Sequence, residues 1–146
     1  MNINRDAPAT AEGEVQISAN PDTVWQVLAD LERWPTWNPD IRSIALDGPL
    51  APGSVFRWKA GMSLTSTLQV VDRPRELAWT GTTMGINAVH VFRFEPRDGG
   101  TRASSEESWE GLLPRLFKRY SRRTLDRGIR TMLARLKVES ERRAAA

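Results

Sequence analysis

Residues 41 to 110 contain six consecutive segments that favour β-strands, and only short turns separate them. The segments read IRSIAL, SVFRWKAGM, SLTSTLQVVD, ELAWTGT, NAVHVFRFEP and TRASSEESWE. Within the second one, from Phe56 to Ala60, apolar and basic residues alternate with the two-residue period of a strand. Asp98-Gly99 is a hairpin signal before the last segment. Because short connections join antiparallel neighbours, this part of the chain predicts an antiparallel sheet.

One further strand and a helix are predicted ahead of this block. EVQISA, residues 14 to 19, alternates like a strand. Asn20-Pro21-Asp22 follows and predicts a helix start, because Asn is a good N-cap, Pro suits the first helical position and Asp favours the positive helix end. The buried stripe of this helix is expected to contain Val24, Val27, Leu28 and Leu31. The helix should end near Arg33, because the next residue precedes a proline.

A long amphipathic helix is predicted at the C-terminal end, in LLPRLFKRYSRRTLDRGIRTMLARLKVESERR. Its apolar stripe, expected to face the sheet, contains Leu113, Leu116, Phe117, Tyr120, Thr124, Leu125, Ile129, Met132, Leu133 and Leu136. The order is therefore strand, helix, six strands and long helix. This order predicts an α+β fold in which a strongly curved antiparallel sheet of about seven strands covers the long helix.

Composition narrows the possible chemistry. The 146 residues suit a single domain, predicted over residues 13–143, and residues 1–12 are predicted to form a flexible N-terminal tail. There are no cysteines, which excludes disulfides and thiol chemistry, and the single histidine, His90, argues against a metal site. We expect no cofactor and no metal. The sequence has no secretory signal and no apolar run that would span a membrane, so the expected location is cytoplasmic.

Positive charge is concentrated near the C-terminus. Residues 114 to 143 contain eleven Arg or Lys against three Asp or Glu, whereas the rest of the chain has an acidic excess. One interpretation is a solvated helix face, and the other is a surface for nucleic acid or anionic lipid. No specific nucleic-acid partner is predicted, because aromatic residues do not interleave with the basic ones on the solvent-facing arc.

The order of elements and several motifs resemble the START-like (SRPBCC) helix-grip superfamily, also represented by Bet v 1-like proteins. The motifs are NPDTVWQVLADLERWPTWNPDI, GSVFRWKAG, LTSTLQVVDRPRELAWTG and TRASSEESWEGLL with the long helix after it. The resemblance is to the branch labelled polyketide cyclase/dehydrase and lipid transport, over about residues 12 to 143. It implies a sheet wrapped around the C-terminal helix, with a deep cavity between them whose mouth lies near the first helix.

The segment WPTWNPDI combines two tryptophans with two prolines at the end of the first helix. By the resemblance, Trp34 and Trp37 lie near the cavity mouth, where one would fill the core and the other would face the cavity. The alternative is that both pack at a corner of the core. Asn38 is expected to shape the turn before Pro39 rather than to contact a ligand.

Two titratable residues are candidates for acid–base chemistry. On the last strand, alternation places Glu107 on the inner face with Ser105 and Trp109, and it assigns Arg102, Ser104, Glu106, Ser108 and Glu110 to a wet outer face. Burial would favour the neutral form of Glu107. His90 shares a face with Phe92, and its strand is expected to neighbour that of Glu107. Catalytic roles for Glu107 and His90 compete with purely structural ones, such as a hydrogen bond or a salt bridge to the long helix.

Large apolar residues are predicted to line the cavity, because core and cavity wall share one face in a helix-grip fold. They are Trp37, Phe56, Trp58, Trp79, Phe92, Trp109, Tyr120 and Met132. The predicted function is binding of a small hydrophobic ligand, lipid or polyketide-like, between sheet and helix. A cyclase or dehydratase that uses the cavity acid/base groups is the alternative, and an interaction protein acting through the basic helix is a third hypothesis. The sequence leaves open whether the protein is a monomer or a homodimer.

Overall fold

The computed structural model describes residues 1–146 and contains one antiparallel sheet of seven strands. The strands are β1 (Ala9–Ile17), β2 (Ser43–Asp47), β3 (Val55–Ala60), β4 (Met62–Asp72), β5 (Glu76–Thr83), β6 (Ile86–Arg97) and β7 (Gly100–Glu110). Their spatial order is β1-β7-β6-β5-β4-β3-β2. Each strand from β2 to β7 therefore pairs with its sequence neighbour, as short connections require, and the predicted antiparallel sheet is confirmed.

Helices occupy the two predicted regions. The helix α1 (Pro21–Ala29) begins as expected, because the Asn20 side chain accepts a hydrogen bond of 2.8 Å from the backbone N–H of Thr23. A 3-10 turn (Leu31–Arg33) and the short helix α2 (Trp34–Trp37) follow it. The C-terminal region forms α3 (Leu112–Leu116) and α4 (Lys118–Ala145). None of these helices is both long and apolar enough to cross a lipid bilayer.

The long helix α4 packs across the inner face of the sheet, in closest contact with β1. A Cβ atom added at Gly13 would lie 3.1 Å from Ile129 and 3.3 Å from Leu133, so the glycine lets the helix approach the strand. The main core joins the buried residues of α1 and α4 to the inner face of the sheet. This arrangement confirms the predicted α+β helix-grip fold, with the sheet around the C-terminal helix.

The predicted apolar stripe is wrong at the start of the C-terminal helical region. The helix is interrupted at Phe117, whose φ and ψ are −121° and 56°. Leu116, Phe117 and Tyr120 have exposed fractions of 63%, 57% and 73%, and Leu113 is also exposed. The reason is that β7 ends just before α3, so the sheet offers this segment no further inner surface. Nothing in the local sequence explains the break at Phe117.

The N-terminal segment covers part of the outer face of the sheet. The strand β1 begins at Ala9, within the region that the sequence predicts as a flexible tail. Ahead of it, Ile3 packs against Ala78 and Val91 in a small apolar cluster. The α-amino group of Met1 lies 3.3 Å from a carboxylate oxygen of Glu76.

This covering segment also corrects the prediction that the whole outer face of β7 is wet. Glu106 and Ser108 are buried. The backbone N–H of Asn4 donates to Ser108 Oγ over 3.2 Å, and the guanidinium of Arg5 lies 2.9 Å from Glu106. A second guanidinium, that of Arg93 on β6, also lies 2.9 Å from Glu106. The outer carboxylate is therefore buried with its counter-charges, which strand alternation does not reveal.

Candidate functional site

Trp34 lies at the centre of the aromatic core. It is fully buried, and its ring centroid lies 6.1 Å from that of Phe56, 5.7 Å from that of Trp58 and 5.6 Å from that of Trp79. Its indole N–H donates to the carbonyl of Leu28 over 2.8 Å, which satisfies the one polar group that burial would otherwise leave unpaired. Trp34 therefore fills the space between α1 and strands β3 to β5.

Trp37 belongs to the same core cluster, with an exposed fraction of 9%, and its indole N–H has no hydrogen-bond partner. The neighbouring Asn38 accepts the backbone N–H of Asp40 over 3.2 Å, which is the turn predicted from the sequence. Its amide also reaches the thioether of Met132 on α4. The geometry of WPTWNPDI thus matches the interpretation in which both tryptophans pack at a corner, and Asn38 ties that corner to α4.

His90 and Glu107 face each other across the pairing of β6 and β7, in direct register. His90 Nδ1 lies 3.1 Å from Glu107 Oε1, and His90 Nε2 lies 2.8 Å from Ser105 Oγ. The indole N–H of Trp109 donates to Glu107 Oε2 over 2.7 Å. We call these four residues, Ser105, His90, Glu107 and Trp109, the inner polar cluster. No arginine or lysine contacts Glu107, so a salt bridge to the long helix, one of the structural alternatives, is absent.

Burial shifts the pKa values of the two titratable groups in opposite directions. Desolvation raises the pKa of Glu107 to about 7, and the hydrogen bond from Trp109 partly opposes this rise. Desolvation also lowers the pKa of His90 to about 3. The side chain of Glu107 keeps 16% of its surface exposed. Near neutral pH, His90 is therefore uncharged and Glu107 exchanges between its neutral and ionised forms.

Each polar side-chain atom of the inner polar cluster has a hydrogen-bond partner within the cluster. When neutral Glu107 carries its proton on Oε1, that proton points to Nδ1 of His90. In that state the other imidazole nitrogen of His90 carries a proton and donates to Ser105 Oγ. The ring of His90 is held between aromatic neighbours, with centroid distances of 4.8 Å to Trp79 and 4.7 Å to Phe92. The cluster is thus a chain of hydrogen bonds with a fixed histidine orientation.

The remaining residues of the predicted cavity wall lie in three environments. Phe56, Trp79 and Phe92 are buried against one another and against Trp34. Trp37 and Met132 are buried near the contact between α2 and α4. Trp58 and Trp109 are partly exposed on the inner face of the sheet, whereas Tyr120 is exposed at the start of α4.

Burial of the inner face decreases toward one end of the sheet. Along β7, Ala103 and Ser105 are buried, but Glu107 and Trp109 retain exposure. Trp58, near the hairpin between β3 and β4, is also partly exposed. We call this end, where β7 ends and α3 begins, the open end of the molecule. A surface depression of about 510 Å³ lies there, lined by residues 82–87 with Gly111 and Leu112.

Two parts of this site were missed by sequence reasoning. The contact of Ser105 with His90 depends on the register of β6 and β7, although strand parity already placed Ser105 beside Glu107. Ser66, which accepts the indole N–H of Trp58 over 3.0 Å, carries no signal of its own in the sequence. No group of three or more His, Asp or Glu side chains is placed to hold a metal ion.

Comparison with known proteins gives one family. A family model described as "Polyketide cyclase / dehydrase and lipid transport" matches residues 8–141. No curated protein matches the chain.

Several solved structures share the fold. The crystal structure of a hypothetical protein, jhp0584 from Helicobacter pylori, is similar with a TM-score of 0.81 and 20% identity, over 96% of this chain and 97% of that chain. The Zhui aromatase/cyclase from Streptomyces sp. R1128 gives a TM-score of 0.77 and 18% identity, over 92% and 94%. A START superfamily protein from Mycobacterium smegmatis gives 0.70 and 15%, over 87% and 96%. At these low sequence identities, the similarity shows a shared fold alone.

Proposed function

The chain belongs to the polyketide cyclase / dehydrase and lipid transport family, and we propose that it binds a small hydrophobic ligand through a polar group. The ligand enters at the open end, between the sheet and the start of α4. Its apolar part lies against Trp58 and Trp109, and its carbonyl or hydroxyl group exchanges hydrogen bonds with Glu107. The observation that carries this proposal is the inner polar cluster, which lies on a largely apolar inner face and retains exposure toward the open end.

A ligand with an apolar body and one polar group needs a hydrogen-bond partner for that group when it is buried. Aromatic and apolar walls favour the burial of a flat or aliphatic guest by about 25 cal/mol for each Å² of apolar surface removed from water. A polar group buried without a partner would oppose that gain. Glu107 provides the partner, since its neutral form donates and its ionised form accepts. Ligands with one hydrogen-bonding group at the end of an apolar body should therefore bind better than pure hydrocarbons.

A matched pair of probes tests this proposal. Naphthalene and 2-naphthol differ by one hydroxyl group, and titration calorimetry measures the affinity of each. We expect 2-naphthol to bind about tenfold more tightly, and the variant Glu107→Gln to reduce that difference, because the amide cannot accept as a carboxylate does. Glu110→Gln, a change on the outer face of the same strand, is the control and should leave the difference intact. Equal affinity of the two probes, or no measurable binding of either, contradicts the proposal.

Acid–base catalysis on such a ligand is the second candidate, favoured by the raised pKa of Glu107 to about 7. A base whose pKa lies near the working pH is ionised in a large fraction of the molecules, and it still binds a proton strongly enough to remove one from the substrate. The Glu107 carboxylate would take a proton from the carbon beside a ligand carbonyl, and the C–H electron pair would form the enolate. The resulting carboxylic acid would return the proton at a later step. This is the proton chemistry that a cyclase or dehydratase needs.

Deuterium exchange separates catalysis from binding. In D₂O, 2-tetralone exchanges the protons next to its carbonyl slowly, and NMR follows that rate. A catalytic site accelerates the exchange, with a rise in rate as pH passes through about 7, and Glu107→Gln abolishes the acceleration. A binding protein without catalysis binds the ketone and leaves the exchange rate at the background value.

A further inference from the structure

A strongly amphipathic surface lies outside the inner polar cluster, at the open end of the molecule. Nine large hydrophobic side chains are exposed in the whole structure, and seven of them belong to α3, the start of α4 and two neighbouring hairpin tips. These seven are Met62, Met84, Leu112, Leu113, Leu116, Phe117 and Tyr120. Scattered exposed apolar residues are ordinary, but a concentration of this kind marks an interaction surface.

Contacts between the elements show that this is one patch. An added Cβ at Gly85 would lie 3.6 Å from the side chain of Leu113, which places α3 against the hairpin tip that carries Met84. Met84 and Leu112 line the same surface depression. Thr83 Oγ1 donates to the carbonyl of Ser63 over 2.8 Å, which brings the tip with Met62 alongside. We call these seven exposed apolar side chains the apolar rim.

The cations beside the apolar rim have no acidic partners. The segment LLPRLFKRYSRR, residues 112 to 123, contains five basic residues and no acidic residue. They are Arg115, Lys118, Arg119, Arg122 and Arg123, and none of them forms a salt bridge. Arg122 donates to the backbone carbonyl of Pro8 and the other four have exposed side chains.

The C-terminal part of α4 differs in this respect. Arg130 pairs with Asp126, Arg135 with Asp40 and Lys137 with Glu141, and Glu139 holds both Arg142 and Arg143. Arg127 is exposed and is the one cation of this part without an acidic partner. Most of the positive charge left uncompensated on this helical region therefore lies beside the apolar rim. A surface that presents bulky apolar side chains among unpaired cations is complementary to an anionic lipid bilayer, where phosphate and carboxylate headgroups lie above hydrocarbon.

We propose that the open end of this protein docks on anionic lipid bilayers, with the apolar rim inserted among the headgroups and the flanking cations paired with lipid phosphates. The proposal does not depend on which small ligand the inner polar cluster binds. Phe117 and Tyr120 are exposed among these cations, so the predicted absence of aromatic residues on the basic arc is wrong, and RNA bases could stack on them. An RNA partner is nevertheless less well matched, because nucleic acid would leave the methionine and leucine side chains in water. A second copy of the chain would cover the apolar rim but would bring the two sets of cations together.

Vesicle co-sedimentation tests the docking. Vesicles of phosphatidylcholine with about 30% phosphatidylserine are compared with vesicles of phosphatidylcholine alone, at about 150 mM salt. We expect binding to the anionic vesicles to be at least tenfold tighter. The double variant Arg119→Ser/Arg123→Ser should lose about 25-fold in binding, since each cation near an anionic surface contributes about fivefold. Leu116→Ser/Phe117→Ser should lose binding at every salt concentration.

Control variants keep the result interpretable. Val138→Ser removes an exposed apolar residue on the ion-paired part of α4, and Arg97→Ser removes an exposed cation at the opposite end of β6. Both should bind like the unchanged protein. Because the chain has no cysteine, Met84→Cys provides a unique attachment point for an environment-sensitive fluorophore, with Val138→Cys as its control. Met84 is 82% exposed, so the change should leave the fold intact. Anionic vesicles should shift the emission of the label at position 84 to shorter wavelength and leave the label at position 138 unchanged.

Three results would overturn the proposal. The first is equal binding to neutral and anionic vesicles, or no binding to either. The second is tighter binding of single-stranded RNA than of anionic vesicles at about 150 mM salt, which would make nucleic acid the partner. The third is dimerisation, measured by analytical ultracentrifugation, that Leu116→Ser/Phe117→Ser abolishes, which would assign the apolar rim to a second copy. Since none of these readouts uses naphthol binding, failure of the docking leaves the proposed function of the inner polar cluster to its own test.

Discussion

Burial of the Glu107 carboxyl group makes the stability of the folded protein depend on pH. In the folded protein its pKa is raised to about 7 from the 4.5 of the free side chain, because burial disfavours the charge. The unfolded chain therefore ionises Glu107 at lower pH than the folded one does. Folded-state stability linked to this group is complete below pH 4.5 and is lost as pH rises to about 7.

The variant Glu107→Gln isolates that effect, because a neutral amide keeps the shape without the charge. Below about pH 4.5 we expect the free energies of unfolding of the variant and the unchanged protein to differ by a constant amount. Between pH 4.5 and about pH 8, the free energy of unfolding of the variant should rise by up to about 3 kcal/mol relative to that of the unchanged protein, because one pKa unit corresponds to about 1.4 kcal/mol. Urea unfolding at a series of pH values measures this. His90, whose pKa is lowered, contributes the opposite slope at acidic pH, but it is present in both proteins and cancels in the difference. A difference independent of pH would mean that Glu107 is solvated.

At the scale of elements, the N-terminal segment behaves as part of the outer layer of the sheet. Ile3 lies on Ala78 and Val91, and Arg5 pairs with the buried Glu106. The pairing of β1 with β7 begins at Ala9, so the first seven residues take no part in strand pairing.

Deletion of residues 2–7 tests whether this layer contributes to stability. Loss of the buried Ile3 side chain alone should cost about 2 kcal/mol, which is typical for one aliphatic residue. Glu106 keeps its contact with Arg93, so the deletion should not leave it as an unpaired buried charge. Urea unfolding of the truncated protein measures the cost, and removal of Ala144–Ala146, which are exposed, is the matched control. Equal stability of the truncated and full-length proteins would indicate that the N-terminal segment does not pack stably against the sheet.

For the molecule as a whole, the largest group of cations without acidic partners lies at residues 115 to 123, and a smaller one, Arg42, Arg57 and Lys59, lies at β2 and β3. Near the basic helix, Asp40 pairs with Arg135 over 2.8 Å, while Asp30 lies 3.9 Å from Arg33 on its own turn. Compensation is therefore partial, and residues 115 to 123 remain the main source of positive potential.

This distribution of charge predicts weak binding of RNA that salt removes. For single strands the logarithm of the affinity falls with the logarithm of salt concentration by about 0.7 for each neutralised phosphate. Arg119→Ser/Arg123→Ser should therefore reduce the slope by about 1.4. Titration of a uridine oligonucleotide at several low salt concentrations measures the slope, and Arg97→Ser serves as the control. If the double variant showed the same salt dependence of RNA affinity as the unchanged protein, the cations of this segment would not be the source of the positive potential.

Local sequence patterns were enough to locate the strands and the start of the first helix. Two-residue alternation and turn residues located all six strands after α1, because both signals are local. The Asn20 cap located the start of α1, and strand parity placed Glu107 on the inner face of β7 and His90 on the same face as Phe92. The family resemblance supplied the wrapped arrangement, which local patterns alone did not determine.

Contacts between distant segments depend on the folded arrangement and do not follow from local patterns. The register of β6 against β7 set His90 opposite Glu107 and brought Ser105 within hydrogen-bond distance, and a shift of one residue would have separated them. The burial of Glu106 depends on a segment a hundred positions away in the chain. The exposure of Leu116 and Phe117 depends on where the sheet ends, whereas helical periodicity reports only which residues share a face. Alternation distinguishes the two sides of a strand, but what covers each side is a property of the folded whole.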